Sequence, residues 1–219
     1  VIANEHNELK TKFIRNISSQ MEPTLNTLGT SAKELSAQAP RCAEQMQAQV
    51  AALKQFSDNI QELSSLENSL TEPYEMGEVN AGTFCESVME KAKEFIKPDV
   101  TPSVNAPKLQ VKTNKEQLER ILLYLLKNAA FYTEQGRISL DFKKRGAHTH
   151  QFIITDTGTG IPAEQQENLF KPFTQVKDLT TGDGLGLPIC SLIATKMNGS
   201  LTLDTSYTKG CRFILELHA

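Results

Sequence analysis

Two apolar stripes at helical spacing fill the first 70 residues, and they constrain this chain more than any other feature. One runs through Leu9, Phe13, Ile17, Met21, Leu25, Leu28, Ala32 and Leu35; the other runs through Met46, Val50, Leu53, Phe56, Ile60, Leu63, Leu66 and Leu70. Steps of three and four place each set along one side of a helix. Ala39-Pro40-Arg41 separates them, because a proline disfavours helical geometry in the residue before it. The pattern therefore predicts two long helices joined by a short turn, an antiparallel hairpin. A lone hairpin buries two such stripes poorly, whereas pairing with a second copy into a four-helix bundle buries both. Packing of the hairpin against the rest of its own chain is the other solution.

The character of the chain changes after Leu70. Thr71-Glu-Pro-Tyr-Glu-Met-Gly77 suits a linker, with a short strand around Tyr74–Val79. Thr83–Ile96 is a predicted helix with Phe84, Val88 and Ala92 on one face. Pro98–Pro107 is punctuated by proline, with short strands expected around it. Thr113 or Asn114 caps a helix that runs to about Phe131; Asn114 stands three residues before Gln117, the spacing of a capping box. Alternation over Arg137–Lys143 and Gln151–Thr155 predicts a β-hairpin turning at Ala147–His150. Pro162 suits the first position of a helix. A further helix over Leu185–Met197 and strands at Leu201–Leu203 and Cys211–Leu217 close the chain. The fold class is α+β: a helical hairpin over 1–72, then a mixed α/β domain over 73–219 with its helices on one sheet face.

Composition narrows the function. The net charge of −3 gives no basic footprint for nucleic acid. No apolar run approaches the roughly 20 residues that span a bilayer, so no membrane contact is expected of this stretch. The first residue is Val1 rather than Met, which suggests a piece of a longer parent. Cys42, Cys85, Cys190 and Cys211 form no CxxC pair, so reduced and mostly buried thiols are expected rather than a zinc site or a disulfide framework.

Three segments of the second part carry chemistry. Asn128 ends an apolar helix, and its amide oxygen is a hard ligand of the kind Mg²⁺ accepts; a surface asparagine is the plainer reading of it alone. Asp156-Thr-Gly-Thr-Gly-Ile-Pro162 follows an alternating strand. Its glycines permit close approach of backbone to a flat ligand, and its carboxylate can accept from an exocyclic amine. Gly182-Asp-Gly-Leu-Gly-Leu-Pro188 opens a helix, where free N–H groups favour phosphate. Neither glycine segment has the Gly-Lys-Ser/Thr ending of a Walker loop.

In this order and spacing the segments resemble the motifs of two-component sensor histidine kinases. Arg120–Thr133 is similar to their N box, Asp156–Pro162 to the first glycine box, Leu169-Phe-Lys-Pro-Phe173 to the F box, and Gly182–Leu187 to the second glycine box. Thr208-Lys-Gly-Cys-Arg-Phe213 is similar to their closing hairpin. The resemblance implies an α/β sandwich of the Bergerat ATP-binding type, with ATP and Mg²⁺ as cofactors. It implies that Asn128 holds the metal, that Asp156 binds the adenine amine, and that Gly158 and Gly160 let the backbone approach. Gly182, Gly184, Leu185 and Gly186 would belong to the lid that cradles phosphate, with Phe170 and Phe173 as its anchors; core packing is an equal reading of both aromatics. Tyr124, Phe131 and Asp183 depart from the family pattern. A carboxylate at Asp183 repels phosphate, which implies weakened ATP affinity.

Phe13–Asn26 is similar to the family's H box, and the register puts Ser19 at the phosphate-accepting histidine and Gln20 at its acidic neighbour. Ser19 is about 200° around the helix from Ile17 and Met21, on the solvent side. A hydroxyl needs a base to become nucleophilic, and the amide of Gln20 takes up no proton at neutral pH. Autophosphorylation and phosphatase chemistry are therefore expected to be disabled at this position. His6, His148, His150 and His218 lie in contexts that suit solvated surface histidines. The resemblance implies a homodimer through residues 1–70, a response-regulator receiver domain as partner, and a cytoplasmic location, with room for a membrane-anchored parent. A non-catalytic, nucleotide-sensing pseudokinase module is the alternative function. An ATPase relative of the MutL kind fits the hairpin poorly.

Overall fold

The computed structural model describes residue 14 and residues 21–34, 39–146, 148–172 and 184–218. The described residues of Val1–Leu70 and Leu169–Ile189 form one unit, and those of Thr71–Asn168 and Cys190–Ala219 form another.

In the first unit, α1 (residues 21–34) and α2 (Pro40–Asn68) make the expected hairpin. Pro40 opens α2, where its missing N–H has no helical partner to lose. The helices run antiparallel: a Cβ on Gly29 would lie 3.6 Å from Cγ1 of Val50, and Lys54 donates to Oδ1 of Asn26. The burial pattern differs from the stripe expected for α2. Ala43, Val50, Ser57 and Ser64, spaced by heptads, are buried together with Leu63 and Leu66. Met46, Leu53, Phe56 and Ile60 are only half-buried, while Leu28 and Leu70 are exposed. Small side chains let two helix axes approach closely. The seam within one hairpin therefore uses the small residues, and the bulky stripe stands beside it.

The second unit holds two sheets. β1 (Gly77–Asn80) pairs antiparallel with β3 (Gln110–Thr113). The larger sheet has five strands in the order β2-β4-β5-β7-β6, with β2 (Val100–Asn105), β4 (Gly136–Arg145), β5 (Thr149–Asp156), β6 (Gly199–Leu203) and β7 (Arg212–His218). Three longer helices occur along the chain: α3 (Ala81–Ala92), α4 (Lys115–Tyr132) and, after the single turn of α5 (Ala163–Gln166), α6 (Gly186–Lys196), of which the part from Cys190 onward belongs to this unit. α3 starts earlier than its apolar pattern suggests because the Asn80 side chain accepts the Thr83 N–H at 3.1 Å. Its expected face, Phe84, Val88 and Ala92, is buried. Asn114 caps α4 as expected, accepting from the Gln117 N–H at 2.9 Å.

β2 lies inside the Pro98–Pro107 stretch rather than around it. The reason is sheet order: β2 is an edge strand, paired only with β4 and in parallel, so Pro102 withholds no ladder bond that the sheet requires. α3 and α4 cover one face of the sheet. Alternation turns Ile138, Leu140, Phe142, Phe152, Ile154, Phe213, Leu215 and Leu217 into the core, the one-sided packing expected from sequence. Cys85, Cys190 and Cys211 are buried and Cys42 is exposed, and none of the four is in a disulfide among the described residues. Among the described residues no helix is long and apolar enough to cross a membrane.

His150 corrects the sequence reading. β5 begins at Thr149, so His150 continues the inward alternation of Phe152 and Ile154 and is only 7% exposed. It stacks on Phe142 with centroids 5.8 Å apart, and its Nδ1 has no hydrogen-bond partner among the described residues. Burial, reinforced by the charges of Lys144 and His148, pushes the imidazole below its ordinary value of 6.5. The fold thus holds His150 neutral. As pH drops below 6.5 the unfolded chain takes up a proton that the folded chain refuses, so stability falls toward acid. Replacing His150 with Phe keeps the stack and removes this dependence. Thermal melts are expected to show a shallower acid loss for H150F, with Tm about 2–4 °C above wild type at mildly acidic pH. Parallel pH profiles for the two chains would disprove the neutral buried state.

Candidate functional site

Asp156 ends β5, and hydrogen bonds from the 158 loop and from the 207–211 segment converge on it. Alternation carries it to the helix-covered face, where it is only 4% exposed. Oδ1 accepts two backbone N–H groups, from Gly158 at 2.8 Å and Cys211 at 3.1 Å. The main chain of Asp156 is fixed as well: its N–H donates to the Cys211 carbonyl at 2.9 Å, and the Tyr207 hydroxyl donates to its carbonyl at 3.1 Å. Oδ2 has no donor among the described residues and is not one of the sealed polar atoms. Burial pushes the carboxyl above its usual range, while the Gly158 and Cys211 bonds pull it partly back. The site therefore offers one buried carboxylate oxygen as a hydrogen-bond acceptor.

Two glycines make this arrangement possible. A Cβ on Gly158 would stand 2.4 Å from the Tyr132 carbonyl oxygen and 2.9 Å from Oγ1 of Thr133. The Thr159 N–H donates to the same Tyr132 carbonyl at 3.2 Å, so the loop after β5 docks on the C-terminal end of α4. Gly210, at φ +148°, would bring a Cβ within 2.2 Å of the Asp156 carbonyl oxygen. Gly158 thus lets the loop backbone lie against the end of α4. Gly160 takes a positive φ of 72° in the same loop.

Asn128 lies one turn before Tyr132 on α4, on the same side of the helix. It is half-buried and has no hydrogen-bond partner among the described residues. The structure thus joins the end of the Asn128 helix to the Asp156 loop. Phe170 is half-buried beside the buried Leu169; Gly184 has φ 68°, Leu185 is fully buried, and Gly186 begins α6. Ser19, Gln20, Phe173 and Gly182 lie outside the described residues. No group of three or more His, Cys, Asp or Glu suited to a metal occurs among the described residues. The motif reading left Tyr207, Gly210, Cys211 and Thr133 without a place in the site. The signal for Gly210 was present, as the glycine just before β7; a hydroxyl bonding to a carbonyl 51 positions away leaves no local trace. The Cys211 thiol is pushed up to about 12 by burial and by the Asp156 charge, so only its backbone serves the site.

Comparison with known proteins gives the same picture. Residues 113–219 match the family described as histidine kinase-, DNA gyrase B-, and HSP90-like ATPases. The chain is 25% identical to the aerobic respiration control sensor protein ArcB of Escherichia coli, over 96% of this chain and 29% of that protein. It is 34% identical to the sensor histidine kinase RcsC of Salmonella typhimurium, over 56% of this chain and 13% of that protein. It therefore spans less than a third of either curated relative. Full-length ShkA, solved in complex with AMPPNP, shares the fold with a TM-score of 0.76 at 20% identity, over 95% of this chain and 46% of that one.

The Gly158 packing has a direct test. Gly158→Ala must displace backbone and is expected to destabilise the chain by roughly 2 kcal/mol or more in denaturant unfolding. Gly77→Ala, where a Cβ meets nothing within 4 Å, serves as the neutral control. Equal stability of the two variants would mean that the loop does not rest on α4.

Proposed function

We propose a role for a chain that is a two-component sensor histidine kinase core with the family's ATP-binding domain: it binds Mg-ATP at Asp156 and Asn128, and it signals without phosphorylating its own residue 19. The observation that carries the nucleotide reading is the split carboxylate of Asp156. Oδ1 is committed to two backbone N–H groups, and Oδ2 is left as an acceptor suited to the adenine amine. Asn128, half-buried and unpartnered among the described residues, has an amide oxygen suited to Mg²⁺. That ion would neutralise phosphate charge when bound. Gly158 and Gly160 shape the adenine end. Gly182, Gly184, Leu185 and Gly186 would enclose the phosphates, and Phe170 and Phe173 would anchor that segment. On this reading 1–72 is the dimerisation part and 73–219 the nucleotide part. The half-covered bulky stripe of α2 supports a homodimer through residues 1–70, since a second copy would bury it. A response-regulator receiver domain is the proposed partner and the cytoplasm the proposed location, within a parent that can be membrane-anchored.

Ser19-Gln20 in place of His-Glu favours a pseudokinase role over self-phosphorylation. A hydroxyl without a base is a poor nucleophile toward the γ-phosphate, and the amide of Gln20 supplies none. The nucleotide would then set the conformation of the dimer or of an active partner.

Incubation with Mg²⁺ and γ-labelled ATP is expected to leave the chain unlabelled, while a Ser19→His Gln20→Glu version gains acid-labile label. Label on the unaltered chain would overturn the pseudokinase role, and label on neither would argue for a decayed nucleotide site. A second outcome separates binding from folding. Asp156→Asn keeps an oxygen for the Gly158 and Cys211 N–H groups but turns an amide N–H toward the adenine amine. ATP affinity is expected to fall about 10–100-fold, the range for a hydrogen bond to a charged group. Because burial raises the native carboxyl, its ionised form opposes folding at neutral pH. The variant should therefore melt no lower than wild type at pH 7, and any gain should vanish as acid protonates Asp156. Unchanged ATP affinity would remove Asp156 from the site.

A further inference from the structure

Residues 204–212 join β6 to β7, outside every motif that carries the family resemblance except the closing hairpin, and they form a connected polar bracket that ends on Asp156. Asp204 accepts the Ser206 N–H at 3.0 Å and the Ser206 hydroxyl at 2.5 Å on Oδ1; its Oδ2 faces the Arg212 guanidinium at 3.3 Å. These contacts hold the Asp204 carboxyl below its usual range, the Ser206 hydroxyl foremost. Arg212 is held from a second side, its Nε donating to Oγ1 of Thr155 at 3.2 Å. Its guanidinium lies 4.2 Å from the centroid of the Tyr207 ring, a cation–π clamp. The Tyr207 hydroxyl then donates to the Asp156 carbonyl at 3.1 Å. Gly210 and Cys211 complete the bracket, the first by its missing Cβ and the second by its N–H to Oδ1.

We infer that Tyr207, clamped by Arg212 and Asp204, is a positioning residue for purine selectivity: it sets the register of Asp156 so that Oδ2 meets a 6-amino purine and rejects a 6-oxo purine. The inference rests on the proposed role of Asp156 as acceptor for the adenine amine. A carboxylate oxygen attracts an amino group and repels a carbonyl oxygen, so the two purines differ by one favourable and one unfavourable contact. Discrimination of this kind depends on placement, because a loosened acceptor can turn away from the repulsive contact. The Tyr207 hydroxyl acts through the main chain of Asp156, so removing it loosens the placement of the carboxylate without changing its charge.

The test compares binding of ADP and inosine diphosphate to the full 219-residue chain by calorimetry, for wild type, Tyr207→Phe, Arg212→Gln and Asp156→Ala. Wild type is expected to prefer ADP by on the order of a hundredfold. Tyr207→Phe keeps the ring under Arg212 and should narrow that preference about tenfold, mostly by binding inosine diphosphate better. Arg212→Gln releases the clamp and should narrow it in the same direction. A role in stability alone would weaken both ligands equally and leave their ratio intact, and that result in folded Tyr207→Phe and Arg212→Gln would overturn the inference. The reading beneath it fails differently: if wild type does not discriminate, or if Asp156→Ala keeps the wild-type ratio, Asp156 is not the purine acceptor.

Discussion

A buried carboxylate held by two backbone N–H groups is the constraint on which the second unit depends. A bare carboxylate at 4% exposure would be expensive to bury, and the Gly158 and Cys211 amides are what make it tolerable. Those two donors come from chain segments far apart in sequence, so the requirement fixes more than one loop. It holds β7 beside β5, where Thr155 faces Arg212 in the ladder, and it brings the 158–160 loop onto the end of α4. Gly158 and Gly210 follow as necessities, each in a place where a Cβ would overlap main chain. Gly158 and Gly210 are therefore conditions of local packing, whatever ligand the site takes.

How far this was legible depends on how local each determinant is. The hairpin, the Asn114 cap and the helix α4 were legible because periodicity and capping act within a few residues. Asp156 and Asn128 stood out as candidates through the order of separated motifs that carries the family resemblance. Four features escaped. The small-residue seam of Ala43, Val50, Ser57 and Ser64 is a matter of how closely two helices approach, and a hydropathy stripe selects bulky residues instead. Pro102 argues against a strand until the sheet order makes β2 an edge. His150 is the next member of the series Asp156, Ile154, Phe152, but the alternation was read only from Gln151 onward, which left His150 in the turn. The bracket from Asp204 to Asp156 was beyond sequence because its bonds cross between strands.

The two halves of the proposed chemistry differ in how they can be lost. The nucleotide pocket is assembled largely from main chain: amides at Gly158 and Cys211, a carbonyl at Tyr132, and glycines that permit their approach. Changing such a site means changing the packing of β5, β7 and α4. An acceptor is a single side chain that must face solvent to be reached, and its replacement leaves no cavity and no unpaired buried group. Under the proposed function, Ser19 and Gln20 stand where that acceptor and its acidic neighbour would be. On the proposed reading, nucleotide binding outlasts phosphoryl transfer because the first is built into the fold and the second is attached to its surface. What remains is a protein whose response to ATP is conformational. The half-covered stripe of α2, Met46, Leu53, Phe56 and Ile60, is the surface through which such a response would have to reach a second copy.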